Sequence, residues 1–206
     1  MIDDFFRAKL EQVSKPIVSI LGKYNIHPIH LTLGGFILAV LSGSFASAGH
    51  FHMALCFWWL SRAMDGFDGI LARATHTTSA LGAYLDISLD MAAYGFMIIC
   101  ISHPFPQYAD LTQYILFLYT LCITTALSAG SLIEKYKKSI HAKVSKNNRS
   151  MRLAAGLAEG GETGVMYTLM LLYPSQFPLL AQIWIIILII TVSARTRYLY
   201  TLIPAK

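Results

Sequence analysis

Six runs of apolar residues fill most of this chain, at approximately 30–49, 52–74, 79–102, 111–134, 157–174 and 178–201. Each is close to the roughly 20 residues an α-helix needs to cross the hydrocarbon of a bilayer. The breaks between them carry turn chemistry: Ser47 to Gly49, Thr75 to Thr78, Pro104 with Pro106, the polar stretch Lys135 to Arg152, and Pro174 with Pro178. Hydrocarbon offers no partner for backbone N–H and C=O groups, so each run must satisfy its own as a helix. The predicted fold is all-α, a polytopic bundle of six transmembrane helices over residues 30–201, within a single domain spanning 1–206. Composition agrees, because only 13% of the 206 residues are charged and 55% are hydrophobic. A soluble domain carries about 25% charged residues, and this chain has no room for a second one.

The formal net charge is +5, which suits either nucleic acid or anionic lipid. Position decides for lipid, since Lys and Arg flank the apolar runs and form no basic helix or aromatic-interleaved patch; no nucleic-acid partner is expected. The connections near residue 50 and at 103–110 and 173–178 contain no Lys or Arg. Arg7, Lys9, Lys15 and Lys23 precede the first run, and Arg73 lies at the second turn. Lys135, Lys137, Lys138, Lys143, Lys146, Arg149 and Arg152 fill the fourth connection. The positive-inside rule then puts both termini in the cytoplasm. Residues 1–15 are interrupted by Asp3, Asp4 and Glu11, which argues against a signal peptide. Ile2, Phe5, Phe6, Lys9, Leu10 and Val13 recur at helical spacing up to Pro16 and predict an interfacial amphipathic helix, with a frayed terminus as the alternative. Cys56, Cys100 and Cys122 are odd in number, lack CxxC spacing and read as buried free thiols.

Four carboxylates stand where lipid is expected. Asp65, Asp68, Asp86 and Asp90 lie inside the second and third runs, and each costs at least about 2.5 kcal/mol at mid-helix before partners are counted. Asp65 and Asp68 are i, i+3 and Asp86 and Asp90 are i, i+4, so each pair shares a helix face. Thr77 stands at the turn, equally far in sequence from Asp68 and Asp86. At 1.5 Å per residue the inner pair lies roughly 13 Å and the outer pair roughly 19 Å from that turn, so antiparallel packing is expected to gather all four toward the cytoplasmic side. Four clustered carboxylates need cations to stay ionised. With no Cys or His at ligand spacing, hard divalent ions are expected, Mg²⁺ or Mn²⁺ rather than Zn²⁺, and two ions are plausible. The alternative is helix-packing carboxylates neutralised by protonation or by Arg62 and Arg73. Gly66, Gly69, Ala72, Gly82 and Ala83 leave space beside the acids for a flat base and a diphosphate, or else serve tight helix packing. Without any family knowledge these residues predict a metal site for an anionic phosphate ligand, with phosphoryl transfer as the leading chemistry.

The string Asp65-Gly-Phe-Asp68-Gly69-Ile-Leu-Ala72-Arg73, eight residues, Gly82, three residues, Asp86, three residues, Asp90 resembles the signature of the CDP-alcohol phosphatidyltransferases. Every fixed position of that signature is present, and the six-span layout of the family covers nearly the whole chain. The resemblance implies a metal-dependent integral membrane transferase of phospholipid biosynthesis, set in a bacterial inner (cell) membrane. It would move a phosphatidyl or similar substituted phosphoryl group from a CDP-alcohol lipid donor, CDP-diacylglycerol first among them, to an alcohol acceptor with release of CMP. By the same resemblance Asp65, Asp68 and Asp86 would be metal ligands, and Asp90 would complete a second ion site and act as general base. Gly69, Ala72, Arg73 and Gly82 would line the nucleotide pocket. Asn25-Ile-His27-Pro28-Ile29-His30-Leu31-Thr32 resembles the family's Thr-Pro-Asn-x-x-Thr lead into the first span, with Pro28 and Thr32 matching and His27 and Ile29 replacing Thr and Asn. Thr32 joins the nucleotide contacts on that basis. Dimers are common in the family.

Glu159 and Glu162 open the fifth run in an arrangement similar to that of a bacterial branch of the family. They either cap a helix dipole or face the cavity and recognise the acceptor. Arg149 and Arg152 enforce topology or hold an acceptor that carries its own phosphate, such as glycerol phosphate or inositol phosphate; Arg195 and Arg197 are the other candidates. The seven histidines are scattered and give zinc or haem little support. The competing function is a divalent-cation carrier built on the same intramembrane aspartates. Its difficulty is that carrier sites lie near the bilayer midplane between repeats, and no repeat is visible here.

Overall fold

The structure, a computed structural model, describes residues 27–135 and 160–202. The expected interfacial helix at 1–15, most of the basic connection with Arg149 and Arg152, and Glu159 lie outside the described residues. Among those described, six α-helices follow one another: α1 (Pro28–Ser47), α2 (Phe51–Ala74), α3 (Ala80–Ser102), α4 (Ala109–Lys135), α5 (Gly160–Leu172) and α6 (Phe177–Leu202). Short 3₁₀ turns at Pro106–Tyr108 and Pro174–Gln176 lead into α4 and α6. Four segments are long and apolar enough to cross a membrane: Pro28–Ser47, Ala80–Ser102, Pro106–Lys135 and Pro174–Thr201. The described residues are therefore all-helical, with the apolar spans of a membrane protein. Helix α2 stands apart from those four because it carries Arg62, Asp65, Asp68 and Arg73, and α5 because its described length is 13 residues.

Local chemistry sets the helix ends near the site. His27 accepts the Ile29 N–H on its Nδ1 at 3.3 Å, and Pro28, whose missing N–H costs nothing in a first turn, starts α1. Gly49, at φ +80, takes the left-handed conformation that closes the α1–α2 turn. At the opposite end of α2 the Thr75 hydroxyl bonds back to the Leu71 carbonyl, and Ser79 accepts the Gly82 N–H at 3.0 Å to start α3.

Packing follows membrane rather than aqueous logic. Helix α1 buries small residues, Gly35, Ala39, Ser42, Gly43 and Ala46, and turns Leu33, Ile37 and Leu41 outward. Lipid gives large apolar side chains no reason to hide, whereas small ones let backbones approach closely. A Cβ on Gly35 would lie 3.3 Å from the Ser61 carbonyl oxygen, and one on Gly43 would lie 2.6 Å from the Phe96 ring. This close fit fixes α1 against α2 and α3, and α4 pairs mainly with α6. At one end of the bundle the rings of Phe51, Phe105 and Phe177 stack in sequence, with centroids 6.3 and 5.6 Å apart. Those three residues belong to the three connections that lack Lys and Arg, so the uncharged connections gather on one side.

Polar atoms inside the bundle are tied together in a directed chain. Trp184 Nε1 donates to the Tyr119 hydroxyl at 2.8 Å, and the Tyr119 and Tyr167 hydroxyls are 2.8 Å apart. The single hydroxyl proton of Tyr167 goes to the Tyr94 carbonyl at 2.7 Å, so Tyr119 must be the donor to Tyr167. Buried Arg195 of α6 donates to the Cys122 carbonyl of α4 at 2.7 Å, which ties those two helices. One expectation needs correcting: Cys100 is buried and Cys122 half-buried, but Cys56 is exposed. The inward stripe of α2 runs through Ala54, Trp58 and Ser61, and Cys56 points away from it, toward lipid.

The tight α1–α2 contact yields a test. Gly35→Val should destabilise the fold by about 1–3 kcal/mol through overpacking against α2, read as a lower unfolding temperature in detergent. Gly130→Ala, where an added Cβ would meet nothing within 4 Å, should leave that temperature unchanged or raise it.

Candidate active site

The α2–α3 hairpin brings three carboxylates together. One oxygen each from Asp65, Asp68 and Asp86 lies within 4.8 Å of the others, with Asp68 buried, Asp65 half-buried and Asp86 exposed. Convergent hard oxygens at that spacing fit a divalent cation that prefers oxygen, which repulsion among the three charges also favours. Asp68 is oriented from α1, where the buried Thr32 hydroxyl donates to its Oδ2. The same hydroxyl oxygen lies 3.3 Å from the Pro28 carbonyl. A carboxylate fixed by a hydrogen bond from a neighbouring helix is the kind of support that aims a metal ligand.

Asp90 departs from the expected arrangement of four. It stands outside the trio, with Oδ1 2.6 Å from Arg62 Nη1 and Oδ2 accepting from the Tyr94 hydroxyl at 3.0 Å. Arg62 also reaches Asp65 Oδ2 at 3.6 Å, so the guanidinium bridges the trio and the fourth acid. The cause is helical phase: Arg62 is one turn before Asp65 on α2 and Tyr94 is one turn after Asp90 on α3, so both face the hairpin seam. Neutralisation by Arg62 therefore applies to Asp90 and reaches Asp65.

Two cavities flank the acids. The first, about 170 Å³, lies among α1, α2 and the start of α3. Its walls include all five residues expected at the nucleotide: Thr32, Gly69, Ala72, Arg73 and Gly82, together with His27 and Ser79. At Gly69 a Cβ would sit 3.4 Å from the Arg73 guanidinium, so glycine there leaves that side chain its place. The second cavity, about 510 Å³, is bounded by Arg62, Asp65, Asp90 and Tyr94 and by Gly160, Gly161 and Gly164 of α5. Asp68, Gly69, Arg73 and Asp86 belong to both walls, so the trio sits at the junction.

The remaining candidates fall elsewhere. Glu162 is in the first turn of α5, beside the glycines of the second cavity, with Oε2 buried and without a hydrogen-bond partner. Arg195 is spent on Cys122 and Thr125 between α6 and α4, and Arg197 is exposed. Sequence reasoning did not single out Tyr94 or the glycines of α5. Tyr94 had a signal, since Asp86, Asp90 and Tyr94 repeat every four residues on one face. The glycines had none, because only tertiary packing shows that Gly160 approaches the Tyr94 hydroxyl.

The family model for CDP-alcohol phosphatidyltransferase matches residues 25–201. The chain is 32% identical over 178 residues to inner membrane protein YnjF of Escherichia coli (strain K12), covering 86% of this chain and 84% of that protein. It is 28% identical over 147 residues to the CDP-diacylglycerol–inositol 3-phosphatidyltransferase of Candida albicans, covering 67% and 61% of the two chains. Its fold is similar to that of Mycobacterium tuberculosis phosphatidylinositol phosphate synthase in a crystal structure with CDP-DAG bound. There the TM-score is 0.65 at 17% identity, over 92% of this chain and 94% of that one. A second crystal structure of that synthase, in complex with manganese and citrate, gives a TM-score of 0.65 at 17% identity over 91% and 89%. A match along nearly the whole bundle, acids included, places the chain in the CDP-alcohol phosphatidyltransferase family and so among the transferases of phospholipid biosynthesis.

Proposed function

We propose that this protein transfers a phosphatidyl group from CDP-diacylglycerol to an alcohol acceptor and releases CMP. The observation that carries this reading is the carboxylate trio at the junction of two cavities, one walled by the signature residues and the other open to a second reactant. The cytidine end of the donor occupies the first cavity. His27, at the helix start where the family has Thr, borders the same cavity while its Nδ1 accepts the Ile29 N–H. Arg73 supplies positive charge beside the diphosphate, and Gly69 and Gly82 let the nucleotide approach the backbone. Asp65, Asp68 and Asp86 hold Mg²⁺ or Mn²⁺, which when bound polarises the diphosphate and stabilises the departing CMP.

The acceptor occupies the second cavity, where Asp90 takes the proton from its hydroxyl as the oxygen attacks phosphorus. Arg62 and Tyr94 aim that carboxylate by engaging one oxygen each. Glu162, with Glu159, Arg149 and Arg152 just before α5, selects the acceptor, because the first turn of α5 borders this cavity. The single domain spans the inner membrane six times behind an interfacial N-terminal helix, and both termini and the acids face the cytoplasm.

Purified protein should release CMP from labelled CDP-diacylglycerol when offered a panel of alcohols, and the lipid formed identifies the acceptor. Chelation should abolish that release and Mg²⁺ or Mn²⁺ restore it, while Asp68→Asn or Asp86→Asn should lower it roughly 100-fold or more. Metal flux without CMP release would instead support the carrier. Thr32→Val removes the hydroxyl that aims Asp68 at nearly constant volume and should weaken metal binding, raising the Mn²⁺ concentration for half-maximal rate by about 10-fold or more. An unchanged metal titration in that variant would deny Thr32 its role.

A further inference from the structure

Several glycines in this bundle have a visible packing reason. A Cβ on Gly35 or Gly43 would press on a neighbouring helix, and one on Gly160 would lie 3.1 Å from the Tyr94 hydroxyl. Close approach of this kind is the ordinary use of small residues between membrane helices. Gly164, one turn after Gly160 on α5, is different. It is buried, yet a Cβ there would meet nothing within 4 Å. Glycine inside a helix costs about 1 kcal/mol relative to alanine, and at Gly164 no closer helix contact offsets that cost.

The α5 backbone is held at this level. The Gly164 carbonyl accepts the Trp58 indole N–H at 3.4 Å and the Thr168 hydroxyl at 2.8 Å, so α5 is tied here to α2. The space beside Gly164 belongs to the second cavity, about 510 Å³, whose walls also include Asp65, Asp90 and Tyr94. Gly160, Gly161 and Gly164 give that cavity a wall of bare backbone on the α5 side, while its carboxylates come from α2 and α3. A ligand inside it meets reactive groups on one side and is selected by shape on the other.

We propose that Gly164 sets the size of the alcohol acceptor: the space a side chain would fill at this position holds the part of the acceptor remote from its reacting hydroxyl. This rests on the reading of the second cavity as the acceptor site. A side chain at 164 crowds the acceptor and spares the nucleotide end of the donor, because Gly164 is not among the residues that line the first cavity. Gly164 is thus a specificity-determining position.

The test separates the two substrates. Gly164→Ala and Gly164→Leu are compared with Gly130→Leu, which adds bulk at an exposed position of α4 where a Cβ also meets nothing within 4 Å. Purified full-length protein with Mn²⁺ and CDP-diacylglycerol is offered serine, glycerol phosphate, inositol phosphate and phosphatidylglycerol, and CMP release is followed. Gly164→Leu should raise the KM for the acceptor the wild type uses best by about tenfold or more, with the KM for CDP-diacylglycerol within about twofold of wild type. Gly164→Ala should raise the acceptor KM less and unfold at the same or a higher temperature. Gly130→Leu should change neither KM. A lower unfolding temperature in Gly164→Ala would assign the glycine to packing and overturn the proposal. An unchanged acceptor KM in folded Gly164→Leu also overturns it, as does a rise confined to CDP-diacylglycerol, which would give the space to the donor. If Gly164→Leu does not fold, the acceptor KM of Gly164→Ala decides. A wild type that releases no CMP with any acceptor overturns the transferase reading and this inference with it, whereas an active wild type whose Gly164 variants keep its acceptor KM overturns this inference alone.

Discussion

Carboxylates gathered inside an apolar bundle repel one another, and Asp68 among them is buried away from the water that would screen it; the rest of this structure is arranged around that fact. Helices α2 and α3 both pack on α1, and each brings two acids whose charge a cation can compensate. Thr32 reaches Asp68 from α1, and Arg62 spans Asp65 and Asp90. The small residues of α1 serve the same end, since Thr32 meets Asp68 only if Gly35 lets α1 settle on the α2 backbone.

The two halves of the bundle divide the work. Helices α1 to α3 build the acid trio and the first cavity, with caps from His27 and Ser79 fixing where α1 and α3 begin. Helices α4 to α6 contribute the aromatic interior, and through the glycines of α5 they close the second cavity. Trp58 links the halves directly, its indole N–H donating to the Gly164 carbonyl at 3.4 Å.

What could be read beforehand was what repeats along one helix. Apolar run length located the helices to within a few residues, and i, i+3 and i, i+4 spacing put the acids on facing sides of a hairpin. Thr32, Gly69, Ala72, Arg73 and Gly82, which line the first cavity, were expected there through the family resemblance and not through spacing. What could not be read depends on partners far apart in the chain. Arg62 was visible as a neutralising charge, but its choice of Asp90 over the trio follows from where Trp58 and Tyr94 place their rings. Cys56 was misjudged because an apolar run does not reveal which side faces lipid when both sides are apolar.

The chain of donors running from Trp184 through Tyr119 and Tyr167 to the backbone of Tyr94 visits four different helices, and the Tyr94 hydroxyl then ends on Asp90. Every link leaves its donor one proton and one destination, so no ring can rotate away alone. The placement of one Asp90 oxygen is thereby tied to the packing of α3, α4, α5 and α6 together, from the buried indole of Trp184 onward.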